Sequence, residues 1–154
     1  MNADVRTALA AHEQIEERGD AFVPTETTFE ACVTVEGDRV RVESAVPTLD
    51  AVVDGETVAP VVEDGWLETF ERRVRNVDGV TRAEEAAVAT VERRDSSVTV
   101  VVDLRSTPDT VGDDVVAVDS FVEGTWMEGI VPGYDYVDRV QQLRERARQN
   151  AQSP

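Results

Sequence analysis

Lysine is missing altogether: all 15 basic residues are Arg, set against 32 Asp and Glu, for a net charge of -17 over 154 residues. Without Lys there can be no Schiff-base enzyme and no phosphate loop of the GxxxxGK[ST] kind. Neither a GxGxxG fingerprint nor a GxSxG elbow occurs. A single cysteine, Cys32, excludes an internal disulfide framework and a Cys-rich metal site. A single histidine, His12, leaves any Ser-His-Asp or Cys-His mechanism one residue to use. Aromatic residues make up only 5%. No uncharged run approaches the ~20 apolar residues of a membrane-spanning helix. The first stretch, "MNADVRTALAAHEQIEERGD", is polar and acidic without the apolar core of a secretory signal, so a cytoplasmic location is the expectation.

What is abundant is acid. In ordinary salt, so much like charge repels itself and weakens the compact state. At molar salt the Debye length falls to roughly 3 Å and that repulsion is screened. Losing Lys also removes long apolar stems from the surface. An acidic, Lys-free chain with 41% hydrophobic residues is therefore read as a folded protein of a halophilic cytoplasm. The charge argues against nucleic acid as a partner, because phosphate contacts need cations. In a hypersaline cytoplasm that argument weakens, since acidity there belongs to the whole proteome.

The hydrophobic pattern predicts an α+β protein with an antiparallel sheet of four to five strands and helices packed on it, in the order α-β-β(-β)-α-β-β-α-α. Val5, Leu9, His12 and Ile15 predict a helix over residues 3–18, stopped by Gly19. A short strand at 22–24 is expected before two alternating runs, Phe29, Ala31, Val33, Val35 and Val40, Val42, Val46, joined by a Gly37-Asp38 turn. Residues 49–53 read equally as strand or helical turn. Val62, Trp66, Phe70, Val74 and Val77 mark a helix that begins near Thr57 or, because of Gly65, only at Asp64. A hairpin through Asp95-Ser96 follows. The run Val98 to Val102 is apolar at both parities, which predicts a central strand covered on both faces. Val111, Val115, Val118, Val122 and Trp126 mark another helix, broken at Pro132-Gly133. A last helix from about Tyr136 turns Val137, Val140, Leu143 and Ala147 inward, with a tail frayed from about residue 149. No repeat or linker interrupts residues 1–154, which implies a single domain.

Few residues invite a chemical role. His12 sits among Glu13, Glu16 and Glu17 and reads as a half-exposed helix residue. Cys32 falls on the charged parity of its strand without a basic neighbour to activate it, and reads as a small filler against a helix. Glu63-Asp64 and Asp113-Asp114 lack the spaced oxygens of a calcium loop, so no metal or cofactor is assigned. Arg139, Arg144, Arg146 and Arg148 form the one cationic surface, explained by a helix C-terminus and by ion pairs with Asp138 and Glu145. The stretch "VEGTWMEGIVPGYDYVD" concentrates one of the two Trp and both Tyr. Trp126 lies on a helical stripe and is expected in the core. Trp126, Tyr134 and Tyr136 are nevertheless the candidate ligand-binding residues, should the joint between the last two helices line a groove.

The segments "VPTLDAVVDG", "PVVEDGWLETFERRV" and "FVEGTWMEGIVPGYDY" resemble a family of small haloarchaeal proteins that form a domain of unknown function, over roughly residues 20 to 145. The resemblance implies a single domain and a saline setting and transfers no activity, cofactor or catalytic residue. The element order is also similar to the type III secretion chaperone-like fold of the YbjN-like proteins, apart from the extra helix after Pro132. With catalytic signatures missing, the expected function is a non-enzymatic protein-binding or chaperone-like module, its partner another protein or a second copy. The alternative is a small-molecule-binding protein or a carboxylate-based hydrolytic enzyme with its pocket near Trp126 and Tyr134.

Overall fold

The computed structural model describes residues 2–152. Helix α1 (Asn2–Ala11) leads into a hairpin of two short strands, β1 (Ile15–Arg18) and β2 (Ala21–Pro24). Strands β3 (Glu30–Glu36) and β4 (Arg39–Pro47) follow, then a single-turn helix α2 (Leu49–Val52) and a longer helix α3 (Pro60–Val74). A 3-10 segment (Arg75–Val80) leads to the hairpin of β5 (Glu85–Arg94) and β6 (Ser97–Arg105), and α4 (Val111–Glu128) and α5 (Asp138–Gln152) complete the order. The strands form one antiparallel sheet in the order β1-β2-β3-β4-β6-β5.

The α+β class and the antiparallel sheet agree with the sequence pattern, but the sheet has six strands, not four or five. The difference lies in residues 15–18, expected as the end of the first helix. They pair instead with β2, Ile15 opposite Pro24 and Arg18 opposite Ala21. Ile15 is the only buried residue of the four, so a helical and a strand period fit the segment equally well. Gly19, expected as a helix stop, sits in the hairpin turn at φ +58°, a left-handed conformation that glycine adopts at no steric cost. The ambiguous segment at 49 resolves as a helical turn, capped by Thr48, whose hydroxyl accepts from the Ala51 N–H. Helix α3 starts at Pro60, between the two expected starting points, because Pro is pre-organised for a first helical position.

Cross-strand register explains the core. The row Phe22, Val33, Val42, Val102 and Val88 lies on one face, and Val40 with Leu104 continues it. These side chains meet Leu9, Phe70, Val115, Val118, Val122 and Trp126 in one hydrophobic cluster. The opposite parity carries Glu30, Thr34, Arg41, Glu43, Thr90 and Glu92, all exposed, so this face of the sheet is open to solvent. The run Val98 to Val102 does lie in an interior strand, yet only one of its faces is covered by helices. Val101, on the open side, is shielded by its neighbours within the sheet and not by a second layer. In α5, Val140 and Leu143 point inward as expected, whereas Ala147 is exposed. The helix continues to Gln152, and residues 153–154 of the expected tail lie outside the described ones. No helix among the described residues is long and apolar enough to cross a membrane.

Candidate functional site

Two of the three aromatic candidates, Trp126 and Tyr136, lie in the core. Trp126 is completely buried. Its indole N–H donates to the Pro47 carbonyl at 2.9 Å, and its ring meets Phe29 edge-on with centroids 4.9 Å apart. Tyr136 is buried, its hydroxyl donating to the Val131 carbonyl, and burial pushes that hydroxyl's pKa up. The backbone around it pairs with α2 through a Val53–Tyr136 bridge, the Val137 N–H donating to Val52 O at 2.9 Å and the Asp54 N–H to Asp135 O at 2.7 Å. Tyr134 remains half-buried. The stretch between α4 and α5 is a joint pinned to the end of β4 and to α2.

A groove does exist beside this joint, between α4, α5 and the connection from β2 to β3, with a volume of about 600 Å³. Its apolar lining is Gly124, Met127, Leu143 and Ala147. Its charged lining is Glu26, Glu123 and Glu128 opposite Arg144, Arg146 and Arg148. This is where the expected cationic set of α5 mostly lies. Arg144 also stands over the Tyr136 ring at 5.6 Å, and Arg139, outside the groove, over Phe29 at 5.9 Å.

One wall of the groove is fastened by two carboxylates one helical turn apart in α4. Thr27 donates its hydroxyl to Asp119 Oδ2, and the Thr28 N–H donates to Glu123 Oε2 at 3.0 Å. Asp119 is 4% exposed. Burial pushes its pKa up to about 6, the Thr27 hydrogen bond opposes the shift, and the nearby Glu123 carboxylate adds to it. Burial also raises Glu123, against the Thr28 N–H and the charge of Arg146. Sequence reasoning passed over both residues because acids are everywhere in this chain. The available signal was position: Asp119 falls on the stripe of Val115, Val122 and Trp126, where a carboxylate is costly unless it is partnered.

The raised Asp119 has a stability consequence of definite sign. Its folded pKa lies above its unfolded value of 3.8, so the native state binds the extra proton and stability falls as pH rises from about 4 to about 6. Asp119→Asn keeps an acceptor for Thr27 and removes the ionisation penalty. The variant should be more stable than the parent by about 2 kcal/mol at neutral pH, converging with it below pH ~4. Denaturant melts at both pH values check this, and a variant less stable than the parent at neutral pH contradicts it.

Of the remaining candidates, His12 and the acidic pairs have structural partners. His12 follows α1 instead of lying within a helix, and its carboxylate partner is Asp113, 2.9 Å from Nε2, not one of the neighbouring Glu residues. Its Nδ1 accepts from the Gln14 N–H at 3.1 Å, which assigns the proton to Nε2. The ring packs on Gly112, where a Cβ would collide with it. Asp114 is buried and accepts from Ser106, Thr110 and the Arg82 N–H. Glu63 is buried and accepts from the Asp50 N–H at 3.0 Å, while Asp64 lies 3.8 Å from Arg93. Cys32 faces the open side of the sheet opposite Glu43, so it does not pack against a helix as expected. No group of three or more metal-ligating side chains occurs among the described residues.

A one-face-covered antiparallel sheet with a mixed-charge groove between its last two helices defines an α+β protein whose buried carboxylates are tied to its own backbone and hydroxyls. The chain belongs to a family of unknown function, DUF5813, whose model matches residues 10–146. No curated protein and no solved structure matches it.

Proposed function

We propose that this chain is a non-enzymatic protein-binding or chaperone-like module of a halophilic cytoplasm, and that the groove between α4 and α5 receives a segment of its partner. The observation that carries this reading is Gly124. It sits in the interior of α4, where glycine costs about 0.5–1 kcal/mol relative to Ala. Nothing within 4 Å would oppose a Cβ there, so packing does not require glycine. What its missing side chain does is keep the groove open beside Met127, whose flexible thioether adapts to varied partners. The facing rows of Glu and Arg suit a partner segment of mixed charge. A carboxylate-based enzyme is the second reading, and the raised Asp119 favours it. Against it, Asp119 does not line the groove and its oxygen is held by Thr27.

Gly124→Gln tests this. It should fill the groove and raise stability by about 0.5–1 kcal/mol through helix propensity. Affinity capture at molar salt, followed by mass spectrometry, should retain a protein on the parent that the variant loses. Identical captures by both would remove the groove from the reading. Hydrolysis of a model ester or glycoside that Glu123→Gln abolishes would favour the enzyme.

A further inference from the structure

The two edges of the sheet are unlike. β1 is short and carries Glu16, Glu17 and Arg18, the kind of charged, brief edge that discourages pairing. β5 is 10 residues long, and its segment Ala86–Val91 is free of charge in a chain where 31% of residues are charged. Ala87, Ala89 and Thr90 are exposed along it. Charges return only at its ends: Glu84 and Glu85 before the neutral segment, Glu92, Arg93 and Arg94 after it. A long, neutral edge with unpaired backbone groups is a template for another strand.

A bulge at Ala89 determines which strand fits. Val88 pairs with Val102 and Thr90 with Val101, so Ala89 is the extra residue and the side-chain phase reverses across it. Glu85 and Ala87 therefore share the open face with Thr90, Glu92 and Arg94, while Ala86 and Val88 share the covered face with Val91 and Arg93. A regular strand along the outer edge would have to leave a residue unpaired at this point. A second copy running antiparallel carries the same reversal and stays in phase on both sides. In the register that places Glu85 opposite Arg94, Ala87 meets Glu92, Val88 meets Val91 and Ala86 meets Arg93. Every pair is on one face, and the two-fold axis makes each contact twice. Within one copy Arg94 reaches Glu92, at 3.4 Å.

We propose that two copies of this chain pair edge to edge through β5, antiparallel about a two-fold axis, with Glu85 of each opposite Arg94 of the other. The joined sheets form one continuous antiparallel sheet. The contact shares no residue with the α4–α5 groove, so it stands whether or not the groove binds a partner.

Light scattering on the full chain, at the lowest salt that keeps it folded, should give the mass of a dimer. Arg94→Glu and Glu85→Arg should each weaken the dimer roughly tenfold, by turning two attractive cross-strand pairs repulsive. Mixing the two variants should restore it, because each then supplies the charge the other lacks. In a Cys32→Ser background, an Ala87→Cys, Glu92→Cys pair should form intermolecular disulfides with oxidised glutathione. A monomer at all accessible concentrations overturns the proposal. So does a dimer that is indifferent to both reversals and does not cross-link.

Discussion

Replacing Trp126 by Ala is expected to cost about 3–5 kcal/mol, the range for removing a large aromatic from a packed core. For a chain of this size that corresponds to a fall in Tm on the order of 10 °C. The number has three physical sources. The indole is fully buried in the stripe of Val115, Val118 and Val122, so its truncation leaves a cavity under α4. Its edge contact with Phe29 is lost. The Pro47 carbonyl, at the end of β4, loses its donor inside the core. Trp126→Phe separates these terms: it keeps most of the apolar contact but strands the carbonyl, at about 1–3 kcal/mol. Tyr136→Phe should cost only about 1 kcal/mol, the net value of its bond to Val131. Thermal melts at molar salt check the series. A shift of only a degree or two for Trp126→Ala, with loss of ligand binding, would return the residue to a ligand site.

Salt should have an effect of comparable size. With 32 acidic and 15 basic residues, even complete pairing leaves 17 carboxylates without a cation. The ion pairs present are mostly at the surface, such as Arg75–Glu71, Arg18–Glu16 and Arg105–Asp38. Each contributes ~0–1 kcal/mol and is itself screened by salt. Self-repulsion is summed over the whole surface, so its relief outweighs their loss. Circular dichroism in dilute buffer should show a much lower melting point than in molar KCl, or no folded signal. Mild acidification in dilute buffer should recover part of the loss, since protonation removes the same charge that salt screens. Equal stability in dilute and molar buffer would exclude self-repulsion as the controlling term.

Some of the protein was legible from periodicity alone. The alternation of Val33, Val40 and Val42 with Glu30, Arg39 and Arg41 gave the inner face of the sheet, because a one-residue slip would bury charge. The spacing of Val111, Val115, Val118, Val122 and Trp126 gave the buried side of α4. The same reasoning failed at Ile15–Arg18, where a single apolar residue cannot distinguish a helix turn from a strand. It failed again at Cys32, whose neighbour depends on which face of the sheet the helices cover.

The candidate site was much less legible. Gly124 has no local signature that separates it from Gly65, and only the surroundings show that one opens a groove. Asp119 and Glu123 are two acids among 32 until the fold brings Thr27 and Thr28 against them.

By itself the sequence determined the α+β class, the buried parities of β3, β4 and α4, and the chemistries that a Lys-free chain with one Cys and one His cannot perform. Those properties follow from local period and residue type, which no tertiary contact can alter. Only the tertiary structure decided the sixth strand, the partner of His12 and the raised carboxyl of Asp119. Thr27 and Asp119 lie 92 residues apart, and His12 and Asp113 lie 101 apart. Whether a carboxylate is solvated or buried beside a hydroxyl depends on such distant segments meeting, and that is set by how the whole chain packs.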